Sequence, residues 1–396
     1  MDSIIIPGIL PIQRIRQMVQ SGMITSDADH PISMDQFQPN SLDLRLGTMA
    51  YRVRCSFLPE NEPVSEKLKK LTQHSFSIEN GAILEPNCTY IIPLLEQVHL
   101  PTIHNKAHAY KAGHQTIHPP FLTSESLTAK TNPKSSTGRL DIFTRVITDF
   151  SHRFEEISAG YSGSLYLEVV PKSFPVRVRT GQRLNQLRIR HGSSLVSDQD
   201  LIRHHRINPL LFDDHGLPLP VQQLKVGNGL FMSVSMSARE GEIIGYKARK
   251  NRDIIDLDQY NTYSIADFWD TLYARKDDFM ILEPEAFYIF ASRERVRIPG
   301  SMAAEMVPYD TGSGELRTHY AGFFDSGFGG DSQDTGAKAV LEVRIHDVPF
   351  LVEHGQTMFR MVFEPNTEIP DTLYGKGIRS NYQGQELKLS KHFIHV

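Results

Sequence analysis

At 396 residues the chain is long enough for two domains of ordinary size, each with its own core. A formal net charge of −4 and a pI near 6.5 argue against a protein that coats nucleic acid or a membrane surface, and no run of 18 apolar residues offers a spanning helix. Two cysteines, Cys55 and Cys88, cannot build a disulfide framework. With no basic stretch ahead of Ile4-Ile5-Ile6 to signal secretion, the expectation is a reduced, cytoplasmic setting with both cysteines as small buried hydrophobes.

Apolar residues at Ile12, Ile15, Met18 and Val19, closed by Gly22, predict a short amphipathic helix between Pro11 and Ile24. The texture then changes to short alternating or β-branched runs broken by Gly, Pro and Asn, as in residues 41–46, 164–170 and 176–179. These read as strands of a sandwich or barrel. Residues 198–205 suggest a helix, and the Pro- and Asp-rich stretch 208–220 follows it. The expected layout is a first domain over 1–195, a connection over 196–222 and a second domain over 223–396. Within the second, 232–255 reads as strands and 265–273 as a short amphipathic helix carrying the only tryptophan, Trp269. The fold class is mainly β with a few short helices.

The chain repeats itself. Ile83-Leu84-Glu85-Pro86, Tyr90-Ile91, Val98 and Leu100-Pro101 return as Ile281-Leu282-Glu283-Pro284, Tyr288-Ile289, Val296 and Ile298-Pro299, 198 residues on (83 to 281). Leu167-Glu168-Val169, Pro175 and Gly181-Gln182 return as Leu341-Glu342-Val343, Pro349 and Gly355-Gln356, 174 residues on (167 to 341). Two copies of one unit are expected, differing by 24 residues in the connection between blocks.

Four segments offer chemistry. In Lys134-Ser135-Ser136-Thr137-Gly138-Arg139, hydroxyls, cations and backbone N–H groups could cradle an anion, although Ser-Ser-Thr-Gly is also ordinary turn composition. Glu168 and Glu342 stand at matched places in apolar strands, where a carboxylate must face solvent, find a partner or sit in a site. Recurrence favours a site, since partial screening from water raises a carboxyl toward general-base range. Residues 319–329 read as a hairpin whose aromatics, Phe324 among them, could stack on a flat ring or simply fill a core. The polar stretch 380–391 is a floppy terminus or a lid. A metal site at His104, His108, His114 and His118 is not expected, because acidic and thiol ligands are lacking nearby. The zinc-deaminase signature, a P-loop, a dinucleotide fingerprint and a nucleophile elbow are absent from the sequence.

Together these segments resemble the deoxycytidine triphosphate deaminase and dUTPase superfamily, in particular its long tandem-repeat bacterial deaminases. Residues 38–47 look like the family's "Q-P-x-S-x-D-L-R-L-G" strand, and residues 134–139 are similar to its "R-S-S-L-A-R" segment with Lys first. Residues 321–328 are similar to the "A-G-x-I-D-x-G-F" hairpin, and Tyr382-Gln383-Gly384-Gln385 with Ser390 resembles the C-terminal lid. The resemblance implies two tandem dUTPase-like distorted jelly-roll β-barrels, a homo-oligomer with sites between barrels, and zinc-free deamination of dCTP to dUTP and ammonia, with Mg²⁺ on the triphosphate. Carried onto this sequence, Glu342 or Glu168 is the base, supported by Ser135 and Arg139. Ala321 contacts the base through its backbone, Asp325 holds the sugar, and Tyr382 and Gln385 close over phosphates near Lys134 and Ser136.

The copies differ. The first keeps the Ser-Ser-Arg segment but lacks the Ala-Gly-Asp hairpin; the second keeps hairpin and lid but has Pro308-Tyr309-Asp310-Thr311-Gly312 in place of the segment. A single composite site follows, with Ser135 and Arg139 facing Ala321, Asp325 and Glu342, and Glu168 a relic or supporting group. The alternatives are a dUTP diphosphatase or bifunctional enzyme giving dUMP, and an inactive nucleotide-binding regulator. No nucleic acid or membrane partner is expected.

Overall fold

Alternation of apolar and polar side chains along short β-branched runs organises this chain into antiparallel sheets. The computed structural model describes residues 6–101, 110–112, 115–117, 127–192, 195–236, 240–308, 316–318, 322–330, 335–345, 347–375 and 382–394. The four clustered histidines, residues 309–312 and Ala321 lie outside these.

In the first half, one sheet orders Ile142–Thr148, Ser162–Pro171, Thr89–His99, Met49–Val53 and Thr72–Ser77, with Ile24–Ser26 beside Thr89–His99. A second orders Gly8–Ile9, Asn185–His191, Leu127–Pro133 and Glu156–Ile157, with Leu42–Leu44 beside Asn185–His191. The second half has a sheet of Trp269–Tyr273, Ile243–Ala248, Phe287–Val296, Ala337–Ile345 and Leu316–Thr318, and another of Leu230–Ser233, Thr357–Pro365, Met302–Pro308 and Gly322–Phe324. The fold is mainly β. Helix Ile12–Gln20 forms where the 3.6-residue period placed it, burying Ile12, Ile15 and Met18. Helix Asp198–Ile207, capped by the Ser197 hydroxyl, packs Leu201 into the second core, and Leu211–Phe212 adds a strand there.

The recurring residues take the same backbone positions. Glu168 stands opposite Ile91, and Glu342 stands opposite Ile289. The Tyr90 hydroxyl accepts from the Glu85 N–H at 3.1 Å, and the Tyr288 hydroxyl from the Glu283 N–H at 2.9 Å. Asn87 and Glu285 occupy left-handed backbone at φ 58° and 56° in matched turns. Gln182 accepts from the Arg179 N–H and Gln356 from the Glu353 N–H.

What differs is what covers the Glu-bearing face. In Ala337–Ile345, Ala339, Leu341, Val343 and Ile345 enter the second half's core. The alternate residue Val340 joins the first half's core, so Glu342 and Arg344 also face the first half. In Ser162–Pro171, Leu165, Leu167 and Val169 enter the first core, while the opposite face lies against Val53, Val64, Leu68, Ile91 and Ile147. Val64 and Leu68 belong to helix Val64–Leu71. The face through which Ala337–Ile345 meets the first half is, on Ser162–Pro171, capped by the chain's own helix.

Two expectations are corrected and one element is added. The 265–273 helix ends at Phe268; Trp269–Tyr273 is a strand paired with Ile243–Ala248, because Trp269 gains more by packing on Phe174, Phe287 and Phe393 than by continuing a turn. Helix Val64–Leu71, with Val64, Leu68 and Leu71 at i, i+4 and i+7, was missed. Cys55 is exposed and Cys88 only partly buried, since each sits in a connection beside a strand rather than within it.

Candidate active site

Strand Leu127–Pro133 ends at a proline, after which Ser135–Gly138 makes one helical turn before strand Ile142–Thr148. The turn closes through bonds from the Thr137 and Gly138 N–H groups to the Lys134 carbonyl and from the Thr137 hydroxyl to the Leu184 carbonyl. This turn packs directly on Ala337–Ile345. A β-carbon added at Gly138 would stand 2.2 Å from Glu342 Oε2, so the carboxyl fills the space that glycine leaves. Burial pushes the Glu342 carboxyl up to about 8, against the pull of Arg139 and with a further push from Asp141. The group is 6 % exposed.

Arg139, also buried, donates to the Lys388 carbonyl and to Gln385 Oε1, each at 2.8 Å. Its guanidinium lies 3.9 Å from the centre of the Tyr382 ring. The Tyr382 and Ser136 hydroxyls bond at 2.7 Å, and Ser390 donates to the Ser136 carbonyl. Gln385 also donates to the Lys338 carbonyl. Residues 382–394 are thus held against the 134–139 turn, with Leu389 and Phe393 anchored in the first core.

A cleft of about 1210 Å³ opens beside the turn. Its walls include Lys134, Ser135, Ser136, Phe323, Phe324, Asp325 and Tyr382, together with Arg179, Arg183, Tyr260 and Lys391. A smaller cavity of about 50 Å³ joins Ser135, Arg139, Phe323, Phe324, Glu342, Tyr382 and Gln385, room for a few water molecules. Ser135, exposed at the head of the turn, lines both spaces. The Lys134 ammonium is ion-paired with buried Asp43. Burial depresses Lys391 to about 8 and His392 to about 4.

Of the expected residues, Glu342, Ser135, Arg139, Lys134, Ser136, Phe324, Asp325, Tyr382 and Gln385 all border these spaces, while Ala321 lies outside the described residues. Asp325 accepts from Arg188 at 2.8 Å, and burial raises its carboxyl. Phe324 is half-buried and edge-on to Phe328, and Phe323, half-buried likewise, lines both spaces with its ring centre 4.0 Å from the Arg188 guanidinium. Glu168 stands apart. It is fully buried, borders neither space, and accepts from Arg145 at 2.6 and 3.1 Å.

Arg188, Gln186, Asp43 and Lys391 also stand at or beside the site, without a role assigned from the sequence. Arg188 and Gln186 fall in Asn185-Gln186-Leu187-Arg188-Ile189, whose alternation imitates a solvated face. Asp43 interrupts the apolar Leu42 and Leu44, and that isolated aspartate is the signal that marks it.

A profile of the 2'-deoxycytidine 5'-triphosphate deaminase (DCD) N-terminal domain matches residues 6–114 and 120–193, and one of the C-terminal domain matches residues 197–393. The chain belongs to the 2'-deoxycytidine 5'-triphosphate deaminase family. A crystal structure titled as this deaminase from Agrobacterium tumefaciens is 42 % identical, with a TM-score of 0.81 over 94 % of this chain and 99 % of that one. A curated relative from Sulfurihydrogenibium sp. named "dCTP deaminase, dUMP-forming" is 26 % identical over 183 residues, covering 45 % of this chain and 81 % of the relative. One from Ignicoccus hospitalis named "dCTP deaminase" is 21 % identical over 196 residues, 50 % of this chain and 89 % of that one. In this deaminase-family chain, the turn from the region matched by the N-terminal profile and the glutamate from the region matched by the C-terminal profile meet at the Gly138–Glu342 contact.

Proposed function

We propose that the chain hydrolyses dCTP to dUTP and ammonia at one composite site, with Glu342 as general base. The observation that carries this is the meeting of the Ser135–Arg139 turn with the buried Glu342 carboxyl across the two halves. In its ionised form Glu342 takes a proton from water as that water's oxygen adds to C4 of cytosine. The proton then serves the departing amine, so water is consumed and ammonia released. Arg139 and Ser135 support the base and the developing charge. The Phe323–Asp325 segment holds base and sugar, and Lys134, Ser136, Tyr382 and Lys391 serve the phosphates. Water activation runs through the carboxylate, with no zinc in the scheme.

Mg²⁺ enters as part of the substrate, on its phosphates. Three of the cleft carboxylates suit a substrate-borne ion rather than a cage of their own, because Asp35, Asp43 and Asp258 are each paired with a cation, Arg183, Lys134 and Arg179. The same reading takes the halves as two distorted jelly-roll barrels pooling complementary parts.

A second reading, continuation to dUMP, is favoured by the dUMP-forming name of the Sulfurihydrogenibium relative and by Asp325 in the cleft. Incubation with dCTP and Mg²⁺ separates them. Ammonia without pyrophosphate supports deamination alone; ammonia with pyrophosphate supports the dUMP-forming reading. Binding without either product would leave an inactive nucleotide-binding protein.

A further inference from the structure

Two residues beyond Glu342 on the same strand face, Arg344 crosses into the first half and pairs with Asp141, both buried. Asp141 belongs to the turn that carries Arg139: its N–H donates to the Gly138 carbonyl at 2.8 Å, and its carbonyl accepts from Lys172 at 2.9 Å. Ser173 donates to the Asp141 carboxylate at 2.5 Å. The other Arg344 nitrogen donates to the Glu285 carbonyl at 2.6 Å, tying the guanidinium to its own half. Asp141 holds left-handed backbone at φ 57°, which costs a non-glycine residue energy unless its surroundings enforce it.

A buried ion pair is a poor way to gain stability, since apolar side chains of the same size do as well or better. It is a good way to fix a register, because only one alignment satisfies it. The repeat supplies an internal comparison. At the position matching Arg344, the first half has Val170, and the glutamate beside it, Glu168, faces no such turn.

Resting on the reading of Glu342 as base, we propose that the Asp141–Arg344 pair is a positioning device: it docks the Ala337–Ile345 strand onto the Ser135–Gly138 turn and so sets where the Glu342 carboxyl stands against Gly138 and Arg139. Neither member borders the cleft or the small cavity. Their effect is on geometry at the base rather than on nucleotide affinity.

The test uses the full chain with Arg344→Met, Arg344→Lys, Asp141→Asn and the Arg344→Met/Asp141→Asn pair, measuring kcat, KM for dCTP and the thermal midpoint. Arg344→Met and Asp141→Asn are expected to lower kcat about tenfold or more with KM held within about threefold, the scale of a misplaced catalytic group. Arg344→Lys is expected to recover part of kcat, and the double variant to be no worse than the poorer single one, because both remove one interaction. A lower thermal midpoint with kcat unchanged, a rise in KM alone, or losses that multiply would each overturn the proposal. Should Arg344→Met fail to fold, Asp141→Asn decides by the same split, being isosteric and at ease with left-handed backbone. Glu342→Gln assayed alongside separates the two claims. Turnover by that variant removes the base and the positioning device together; its silence, with kcat intact in the Asp141 and Arg344 variants, removes the positioning device alone.

Discussion

At the residue scale, two glutamates at matched positions have opposite surroundings, and substitution should expose the difference. Glu168→Gln removes the charge that Arg145 pairs with, yet Arg145 is a quarter exposed and can turn to water. The expected result is a stability loss of roughly 1–3 kcal/mol with dCTP turnover retained. Glu342→Gln keeps the shape and removes the base, and turnover should fall by about 10²–10⁴. A steady-state assay and a denaturant melt on both variants check the pair; a dead Glu168→Gln enzyme would contradict the assignment. The raised Glu342 carboxyl adds a pH prediction. A carboxyl held near 8 keeps its proton below that pH, so the base form is scarce there, and kcat/KM should climb with pH and level off above about 8. A limb at ordinary carboxylate pH would show Glu342 already ionised in the free enzyme. Linkage gives the matching sign for stability. Between the ordinary value of 4.5 and about 8, the folded chain holds a proton that the unfolded chain has released, so stability falls as pH rises through that window. Denaturant melts at pH 5 and 8 should show a smaller fall for Glu342→Gln than for the parent chain. The polar residues that interrupt apolar strands were legible in the sequence, as were the hydroxyls and arginine of the turn. Arg188 was not, because its partner, Asp325, lies 137 residues away, and no local pattern reports that distance.

At the element scale, the strand period was readable because alternation survives in both halves, down to the shared register of Glu168 with Ile91 and Glu342 with Ile289. The 265–273 segment misled, since four residues of true helix run straight into a strand and Trp269 serves either period. Short elements decided by packing are where sequence pattern runs out. The tail shows the reverse case: its polar composition allows a lid or a floppy end, and only the structure shows its contacts with Arg139 and Ser136. Tyr382→Phe keeps the ring over Arg139 and deletes the hydroxyl that bonds Ser136. The loss of one buried hydrogen bond, about 1 kcal/mol, should appear as a rise of about fivefold in KM for dCTP, with kcat little changed. Progress curves for the two enzymes check it, and an unchanged KM would detach the tail from nucleotide binding.

At the scale of the whole molecule, the unequal covering of the two glutamate-bearing strands bears on the number of working sites. Each half presents a Glu-bearing sheet face. The second half's face is laid on the first half and meets the 134–139 turn, whereas the first half's face is covered by helix Val64–Leu71 and by Phe154, whose ring lies under Arg145 at 3.5 Å. Uncovering Glu168 would strip Val64 and Leu68 from their cluster, at about 1.5–3 kcal/mol per apolar side chain, and would break the Arg145 pair as well. That cost also keeps the face from accepting a further unit as a docking partner. One nucleotide should therefore bind per chain. Calorimetric titration of the Glu342→Gln protein with dCTP and Mg²⁺, which binds without consuming its ligand, should saturate at a ratio of one, and adding Glu168→Gln should leave that ratio alone. A ratio of two, falling to one with the added substitution, would mean that the helix lifts and that the first half keeps a working site of its own.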